Sequence, residues 1–236
     1  MTEPPLALSF FDTARKLSGT ARAGMTLLFE GTTPTTLPDG PEVERRADGS
    51  LSAALGDRFD LSFEPLAEPA RLSGLRTTLC AVTGSVNGGP VDCLGTATET
   101  VEPPEWSQLD AVRGVTAVFD RERAVFALAR RPRGAMGHGQ ELVEATLLID
   151  GELARVEDAR LSTVYDGDGR QRNAGLELWL PAEDFPRRLS GTVQAGASLA
   201  LEGLRVNAAV FGWRMEGRDG SGLYELAVRD VPPEAA

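Results

Sequence analysis

The sequence contains little of the chemistry on which many enzymes depend. Its 236 residues include one histidine, His138, two cysteines, Cys80 and Cys93, and one lysine, Lys16. A lone histidine and two separated cysteines offer no ligand set for a metal ion, so we predict no metal site. Two cysteines are too few for a disulfide framework, and we interpret both as reduced core residues. A Schiff-base mechanism would depend on Lys16 alone.

Further absences exclude other classes of protein. The formal net charge of −11 argues against binding to nucleic acid or to anionic lipid, since either partner requires a basic surface. No apolar run approaches the roughly 18 residues that span a bilayer, so we predict no membrane insertion. The polar N-terminus lacks the features of a signal peptide, which predicts a cytoplasmic protein. Nucleophile motifs and phosphate-binding glycine loops are absent too, so no cofactor is predicted.

Short alternating runs separated by frequent turns predict an all-β fold. Apolar residues at Phe59, Leu61 and Phe63 alternate with polar residues, a period of two that places one strand face in a core. A hydrophobic content of 42% is sufficient for such a core. Two prolines within 102–105 mark a linker, because proline interrupts both strand ladders and helices. We therefore predict two units, residues 1–104 and 105–236.

Short motifs recur in the same order in both halves and predict an internal duplication. The clearest is Gly-Leu-Arg leading through Ala-Val-x-Gly to a glycine-rich turn. The matches pair 74–84 with 203–212, 11–15 with 119–123, 26–31 with 146–151, and 71–74 with 188–191. A duplicated unit of about 110 residues fits them, and convergent strand composition is the alternative. The glycine-rich loop at 131–139 has no equally long counterpart in the first unit, and 192–201 is predicted to belong to an extra strand pair.

Two stretches of the second half resemble a known group of proteins. They read DGELARVEDARLSTVYDGDGRQRNAGLELW, from Asp150, and RVNAAVFGWRMEGRDGSGLYE, from Arg205. They resemble a bacterial two-domain family that is similar to carotenoid 1,2-hydratase (hydroxyneurosporene synthase), tocopherol-cyclase-like and AttH-like proteins. The resemblance implies two tandem lipocalin-like β-barrels, with hydratase or cyclase activity as a further expectation. The present units are shorter than usual for the group, and the Trp- and Asp-rich segment of the hydratase is absent.

Two residues next to the glycine-rich loop are the candidate catalytic groups. Glu141 is predicted on the apolar face of a strand over 141–149, where burial in a cavity would favour the protonated form. Such a carboxylic acid could protonate an alkene or epoxide, although a rim glutamate fits the pattern equally well. His138 could act as a general acid or base near neutral pH, and a surface loop histidine is the alternative.

Five residues of the last hairpin are candidate ligand contacts. They are Asn207, Phe211, Trp213, Tyr224 and Glu225. Aromatic rings on this hairpin could stabilise a carbocation, or they could simply fill the core. Adjacent residues of a strand face opposite ways, so one of the last two residues in this set must point inward and the other outward.

The sequence thus favours a hydrophobic small molecule as the partner, such as a terpenoid, polyketide or lipid. One hypothesis is an enzyme that hydrates, cyclises or isomerises an isoprenoid-like substrate by acid–base chemistry without a cofactor. A second is a non-catalytic carrier, and a third is a pocketless β module that binds another protein. The fold does not choose among them, and a homodimer stays open.

Overall fold

Two antiparallel β-sheets, one from each half of the chain, make up the fold. The computed structural model describes residues 4–136, 138–181, 183–201 and 203–229, and the side chain of His138 is outside that description. Within these parts the regular structure is almost entirely strand, so the all-β prediction is confirmed. One short 3-10 turn is the exception, and no described helix is long and apolar enough to cross a membrane.

Ten strands form the first sheet. Their bounds are β1 Leu6–Asp12, β2 Leu17–Arg22, β3 Met25–Glu30, β4 Thr33–Leu37, β5 Glu42–Arg45, β6 Leu51–Leu55, β7 Phe59–Pro65, β8 Ala70–Leu72, β9 Leu75–Val86 and β10 Gly89–Thr100. They lie in the order β4–β3–β2–β1–β10–β9–β7–β6–β5, and β8 pairs with the start of β9. The pairing of β1 with β10 brings the two ends of this unit together.

Nine strands form the second sheet in the described residues. Their bounds are β11 Leu109–Asp120, β12 Arg123–Pro132, β13 Leu142–Ile149, β14 Glu152–Arg155, β15 Asp158–Tyr165, β16 Gln171–Trp179, β17 Arg187–Leu201, β18 Leu204–Met215 and β19 Arg218–Arg229. They lie in the order β14–β13–β12–β11–β19–β18–β17–β16–β15. Contacts between β13 and β15 show that this sheet curls until its two ends meet.

The two sheets have the same strand order, which supports the duplication. The matched segments 11–15 and 119–123 begin at the ends of β1 and β11. Segments 26–31 and 146–151 include the last residues of β3 and β13 and end just after them. Gly74 and Gly203 occupy the same turn, before β9 and β18, and both have a positive φ, of 84° and 80°. This backbone conformation favours glycine because it has no Cβ.

Two sequence interpretations about the second unit are wrong. The match of 71–74 with 188–191 is not structural, because the first segment precedes β9 whereas the second lies near the start of β17. Residues 192–201 are not an extra strand pair; they are the greater part of β17, which pairs with β18 along its length. By position, β7 and β8 together correspond to β17. A long unbroken strand therefore replaces two short ones.

Each sheet encloses its own apolar core. In β7 the residues predicted to face inward, Phe59, Leu61 and Phe63, are buried, and Asp60 between them is exposed. The second core includes Leu147, from β13, and other inward residues of β11, β12 and β15–β19. Fully burying one such large side chain stabilises a fold by about 1.5–3 kcal/mol.

A third apolar layer holds the two sheets together. It contains Phe11 and Leu79 from the first sheet and Phe126 and Leu148 from the second. A smaller cluster joins β3 to β17 and β18. Outward faces of both sheets are therefore buried against each other in two apolar clusters.

Candidate functional site

The interior of the second barrel contains a buried cluster of charged and hydroxyl groups. Arg113 on β11 points inward, and its side chain is 1% exposed. It forms an ion pair with Glu141, whose side chain is also 1% exposed. Arg131, at the end of β12, binds the second carboxylate oxygen of Glu141 at 2.7 Å. Both carboxylate oxygens therefore accept from guanidinium groups inside the protein.

Hydroxyl groups and a backbone carbonyl also bind the buried arginine, although its Nε has no hydrogen-bond partner. Arg113 donates through Nη1 to Thr163 Oγ1 at 2.9 Å and to the Tyr224 hydroxyl at 3.2 Å. Its Nη2 also donates to the backbone carbonyl of Leu161 at 3.3 Å. The Thr163 and Tyr224 hydroxyl oxygens are 2.6 Å apart and share a hydrogen bond. The network ties β11, β15 and β19 together across the barrel.

Burial sets the protonation state of the phenol in this network. Desolvation raises the pKa of Tyr224 to about 12, although the nearby Arg113 guanidinium partly opposes the rise. The phenol is neutral at physiological pH and donates or accepts hydrogen bonds without carrying charge. Its ring packs against Phe211 at a centroid distance of 5.4 Å, and Phe211 stacks on Trp213 at 5.1 Å.

Of the two predicted catalytic residues, Glu141 belongs to this cluster, with a geometry that differs from the expected one. Glu141 directly precedes β13, which begins at Leu142, instead of lying within the strand. Its two arginine partners stabilise the carboxylate, whereas an acid catalyst must carry a proton. His138 begins the 3-10 turn His138–Gln140, and its side chain is outside the described residues. The catalytic assignment of both residues stays a prediction.

The five predicted ligand contacts are divided among three environments. Phe211, Trp213 and Tyr224 are at most 1% exposed and pack in the second apolar core. Asn207 is buried and polar, accepting a hydrogen bond from Ser198 at 2.7 Å. Glu225 points to the opposite face from Tyr224, as alternation requires. The structure thus brings the three aromatic side chains together and places Glu225 on the other face of the sheet.

Glu225 lies where the two units meet. It forms an ion pair with Arg22 of β2 and lines a small cavity of about 100 Å³ between the sheets. A similar bridge lies nearby, where Glu144 accepts from the Ser73 backbone at 3.1 Å and from Arg130 at 2.7 Å. These contacts give Glu225 a structural role at the interface between the units.

The first barrel, which supplied none of the predicted site residues, contains a large opening into its core. The cavity has a volume of about 570 Å³, which is within the usual range for small-molecule sites. Its apolar walls come from strands on several sides of the barrel and include Leu6, Val43, Leu51, Phe63 and Ala97. Most of these residues belong to the first apolar core or pack against it, so the cavity extends into the barrel.

Charged side chains stand at the mouth of this cavity. Glu99 on β10 binds Arg45 of β5 and, at 2.6 Å, Arg76 of β9. Glu99 is 16% exposed, whereas the two arginine side chains are 47% and 36% exposed. The buried Nε of Arg76 has no hydrogen-bond partner. Glu68 also lines the cavity, on the exposed connection between β7 and β8.

The open cavity and the buried network occupy the same end of the two related barrels. At this end β1 and β9 begin and β10 finishes, as β11 and β18 begin and β19 finishes in the second unit. Only two residues, 23–24, connect β2 to β3, whereas nine, 133–141, connect β12 to β13. The longer connection supplies Glu141 to the interior. This end is therefore open in the first barrel, whereas in the second barrel it contains an ion-pair network.

Sequence reasoning missed the cavity residues for a physical reason. Arg45, Arg76 and Glu99 come from three separate strands, and nothing local indicates that they meet. Arg113 had a usable signal, since Ala111, Arg113 and Val115 are consecutive inward positions of β11. A charge in an inward row is uncommon and indicates a buried partner.

The fold is that of a double-lipocalin-like protein, as the sequence resemblance implies. Its likeness to AttH of Nitrosomonas europaea covers 97% of this chain and 93% of that one, with a TM-score of 0.61 and 11% identity. Its likeness to kievitone hydratase of Nectria haematococca covers 96% and 89%, with a TM-score of 0.57 and 10% identity. At these identities the likeness shows the fold alone. No protein-family model matches the sequence, and no curated protein matches it significantly.

Proposed function

We propose that the protein binds an apolar small molecule, such as a terpenoid, polyketide or lipid, in the cavity of the first barrel. The observation that carries this proposal is the opening of about 570 Å³ that extends into an apolar core. Burying apolar ligand surface yields roughly 25 cal/mol per Å² before the costs of association are subtracted. The equivalent end of the second barrel is occupied by its own side chains, so binding is assigned to the first unit.

Mass spectrometry of the gently purified protein tests this function. Native spectra should show an adduct, and solvent extraction should release a discrete apolar molecule. The neutral fluorophore N-phenyl-1-naphthylamine should bind to protein stripped in this way. An empty protein that binds neither this probe nor a panel of isoprenoids and fatty acids would contradict the proposal and favour the pocketless β module.

A pair of matched variants locates the binding site. Val43 lines the cavity and is 41% exposed, and Val164, on β15 of the second unit, is 58% exposed. Val43→Trp should fill part of the cavity and weaken binding of the fluorophore at least tenfold. Val164→Trp adds the same bulk elsewhere and should leave binding unchanged. Equal effects of the two substitutions would remove the first barrel as the site.

Catalysis is a second candidate function. It is favoured by the fold shared with kievitone hydratase and by the burial of Glu141 beside Arg113 and Tyr224. In a hydration, an acid protonates the alkene carbon and water adds to the resulting cation, giving an alcohol after loss of a proton. Trp213 could stabilise such a cation. For Glu141 to donate the proton, the substrate would have to displace an arginine partner.

Substituting the glutamate tests the catalytic candidate. Isoprenoid alkenes incubated with the protein should gain the mass of one water if hydration occurs. Glu141→Gln should then abolish turnover while ligand binding persists, whereas Glu152→Gln, at an exposed position of β14, should have no effect. Circular dichroism establishes that each variant is folded. A folded Glu141→Gln protein with unchanged turnover would exclude Glu141 from the mechanism.

A further inference from the structure

We propose that the apolar ligand carries an anionic oxygen group, such as a carboxylate, which binds to Arg45 and Arg76 at the mouth of the first-barrel cavity. This inference rests on the proposed function, because it identifies the chemical class of the molecule that fills that cavity. The ligand is then an amphiphile whose apolar part enters the barrel while its charged group stays at the rim.

The cavity has apolar deep walls and a charged rim, which suits a ligand with an apolar tail and a charged head group. The deep walls, including Phe63 and Ala97, are buried and apolar. At the rim, Glu99 faces Arg76 directly across the β9–β10 pair, and Arg45 reaches the same carboxylate from β5. A tail entering the core therefore leaves its head group beside two guanidinium groups.

Both arginines have donors to spare for a ligand. A guanidinium has five N–H donors, and the ion pairs with Glu99 use Nη2 of Arg45 and Nη2 of Arg76. The Nε of Arg76 is one of five arginine Nε atoms that are buried without a hydrogen-bond partner in the described residues, so the spare donors that a ligand can reach are those of the two Nη groups. Planar guanidinium groups are well suited to bind carboxylates through two parallel hydrogen bonds.

The charges that line the cavity favour an anion at one side of its mouth. The lining contains two arginines, Arg45 and Arg76, and two glutamates, Glu68 and Glu99. The four charges sum to zero, but Glu68 lies on the connection between β7 and β8 and not in the ion-paired cluster. The remaining cluster of Arg45, Arg76 and Glu99 has one excess positive charge. Glu99 would compete with the ligand anion for the arginines, which makes its removal informative.

Displacement of a neutral probe by two matched amphiphiles tests this inference. N-phenyl-1-naphthylamine reports occupancy of the cavity, and dodecanoate and dodecan-1-ol compete for it with the same chain length but different head groups. The measured quantity is the preference for dodecanoate, expressed as the ratio of the two half-displacement concentrations. In the wild-type protein this preference should weaken as the salt concentration rises.

Three charge variants should have different effects on the preference for dodecanoate. Arg76→Gln should reduce it about tenfold or more by loss of a charge-assisted hydrogen bond. Glu99→Gln should increase it, because a competing carboxylate is removed. Arg58→Gln, an exposed substitution of the same charge change on the connection before β7, should leave it unchanged. Displacement by dodecan-1-ol should be similar in all three variants.

The possible outcomes separate the head-group inference from the proposed function. If the probe binds the wild-type protein but Arg76→Gln affects dodecanoate and dodecan-1-ol equally, the anionic head group is refuted and the apolar site stands. If Glu99→Gln lowers the preference, the assumed competition is wrong and the inference is refuted as well. If the probe does not bind the wild-type protein, the proposed function itself fails.

Discussion

Replacing Arg113 by leucine should destabilise the protein strongly, although leucine is well suited to a barrel interior. The substitution removes the ion pair with Glu141 and three further hydrogen bonds, to Thr163, Tyr224 and the backbone of Leu161. Breaking a buried ion pair by deleting one partner costs about 3–5 kcal/mol, because the other charge stays buried.

The size of the expected loss of stability depends on Arg131, the other arginine that binds Glu141. Arg131 still binds Glu141 at 2.7 Å, but its side chain is 29% exposed and is more strongly solvated. We therefore expect the lower end of the range, about 3 kcal/mol. This is a large part of the 5–15 kcal/mol that is typical of a folded domain.

Urea unfolding followed by tryptophan fluorescence measures this loss. Arg188→Leu is the control, since Arg188 is 76% exposed and its pair with Glu177 lies at the surface, where such pairs contribute about 0–1 kcal/mol. The double variant Arg113→Leu with Glu141→Leu should be more stable than the two single losses would predict, because neither charge is left behind. If Arg113→Leu is within 1 kcal/mol of the wild type, the reasoning about the buried pair is refuted.

Three further predictions follow from burial and from close packing. Burial raises the pKa of Tyr224 to about 12, so the stability that depends on its neutral phenol is present below pH 10 and is lost as the pH rises toward 12. Between pH 9 and pH 11.5 this loss should be about 2 kcal/mol, and urea unfolding at the two pH values should show that Tyr224→Phe removes it. Burial also raises the pKa of Cys80 and Cys93 to about 12; at pH 8 both thiols should react with Ellman's reagent about a thousandfold more slowly in the native protein than in urea, and rapid native labelling would contradict this. A Cβ on Gly222 would overlap the carbonyl oxygen of Thr116, whereas one on Gly114 would meet nothing within 4 Å; calorimetry should therefore show Gly222→Ala to be about 1–3 kcal/mol less stable than Gly114→Ala.

Local patterns were sufficient to predict the all-β fold and the duplication, although not the full extent of β17. Alternation in Phe59, Leu61 and Phe63 depends only on neighbouring residues, and the structure buries all three. The glycines that precede β9 and β18 are specified by a local turn conformation. Features that depend only on residues close together in the chain can therefore be predicted from the sequence.

Features that depend on pairing between distant strands were not predictable from local patterns. Glu99 and Arg45 are 54 residues apart, and only the sheet order brings them to one mouth. Glu141 was a candidate from the sequence, but its partner Arg113 comes from another strand, 28 residues away in the chain. The sequence analysis therefore named two members of the buried network, Glu141 and Tyr224, and missed Arg113, which contacts both.

The same end of the two related barrels is closed in the second unit and open in the first. In the second unit, a nine-residue connection supplies Glu141, and its ion pairs with Arg113 and Arg131 occupy this end of the interior. A guest at this end would have to displace a partner of a buried ion pair, which is costly. In the first unit, a two-residue turn leaves the end open, and the charges of Arg45, Arg76 and Glu99 stay at the rim in contact with water. Charges at a rim can exchange one partner for another at low cost, because solvent already screens them. Ligand binding is therefore expected in the first copy, while the second copy contributes one side of the shared apolar interface.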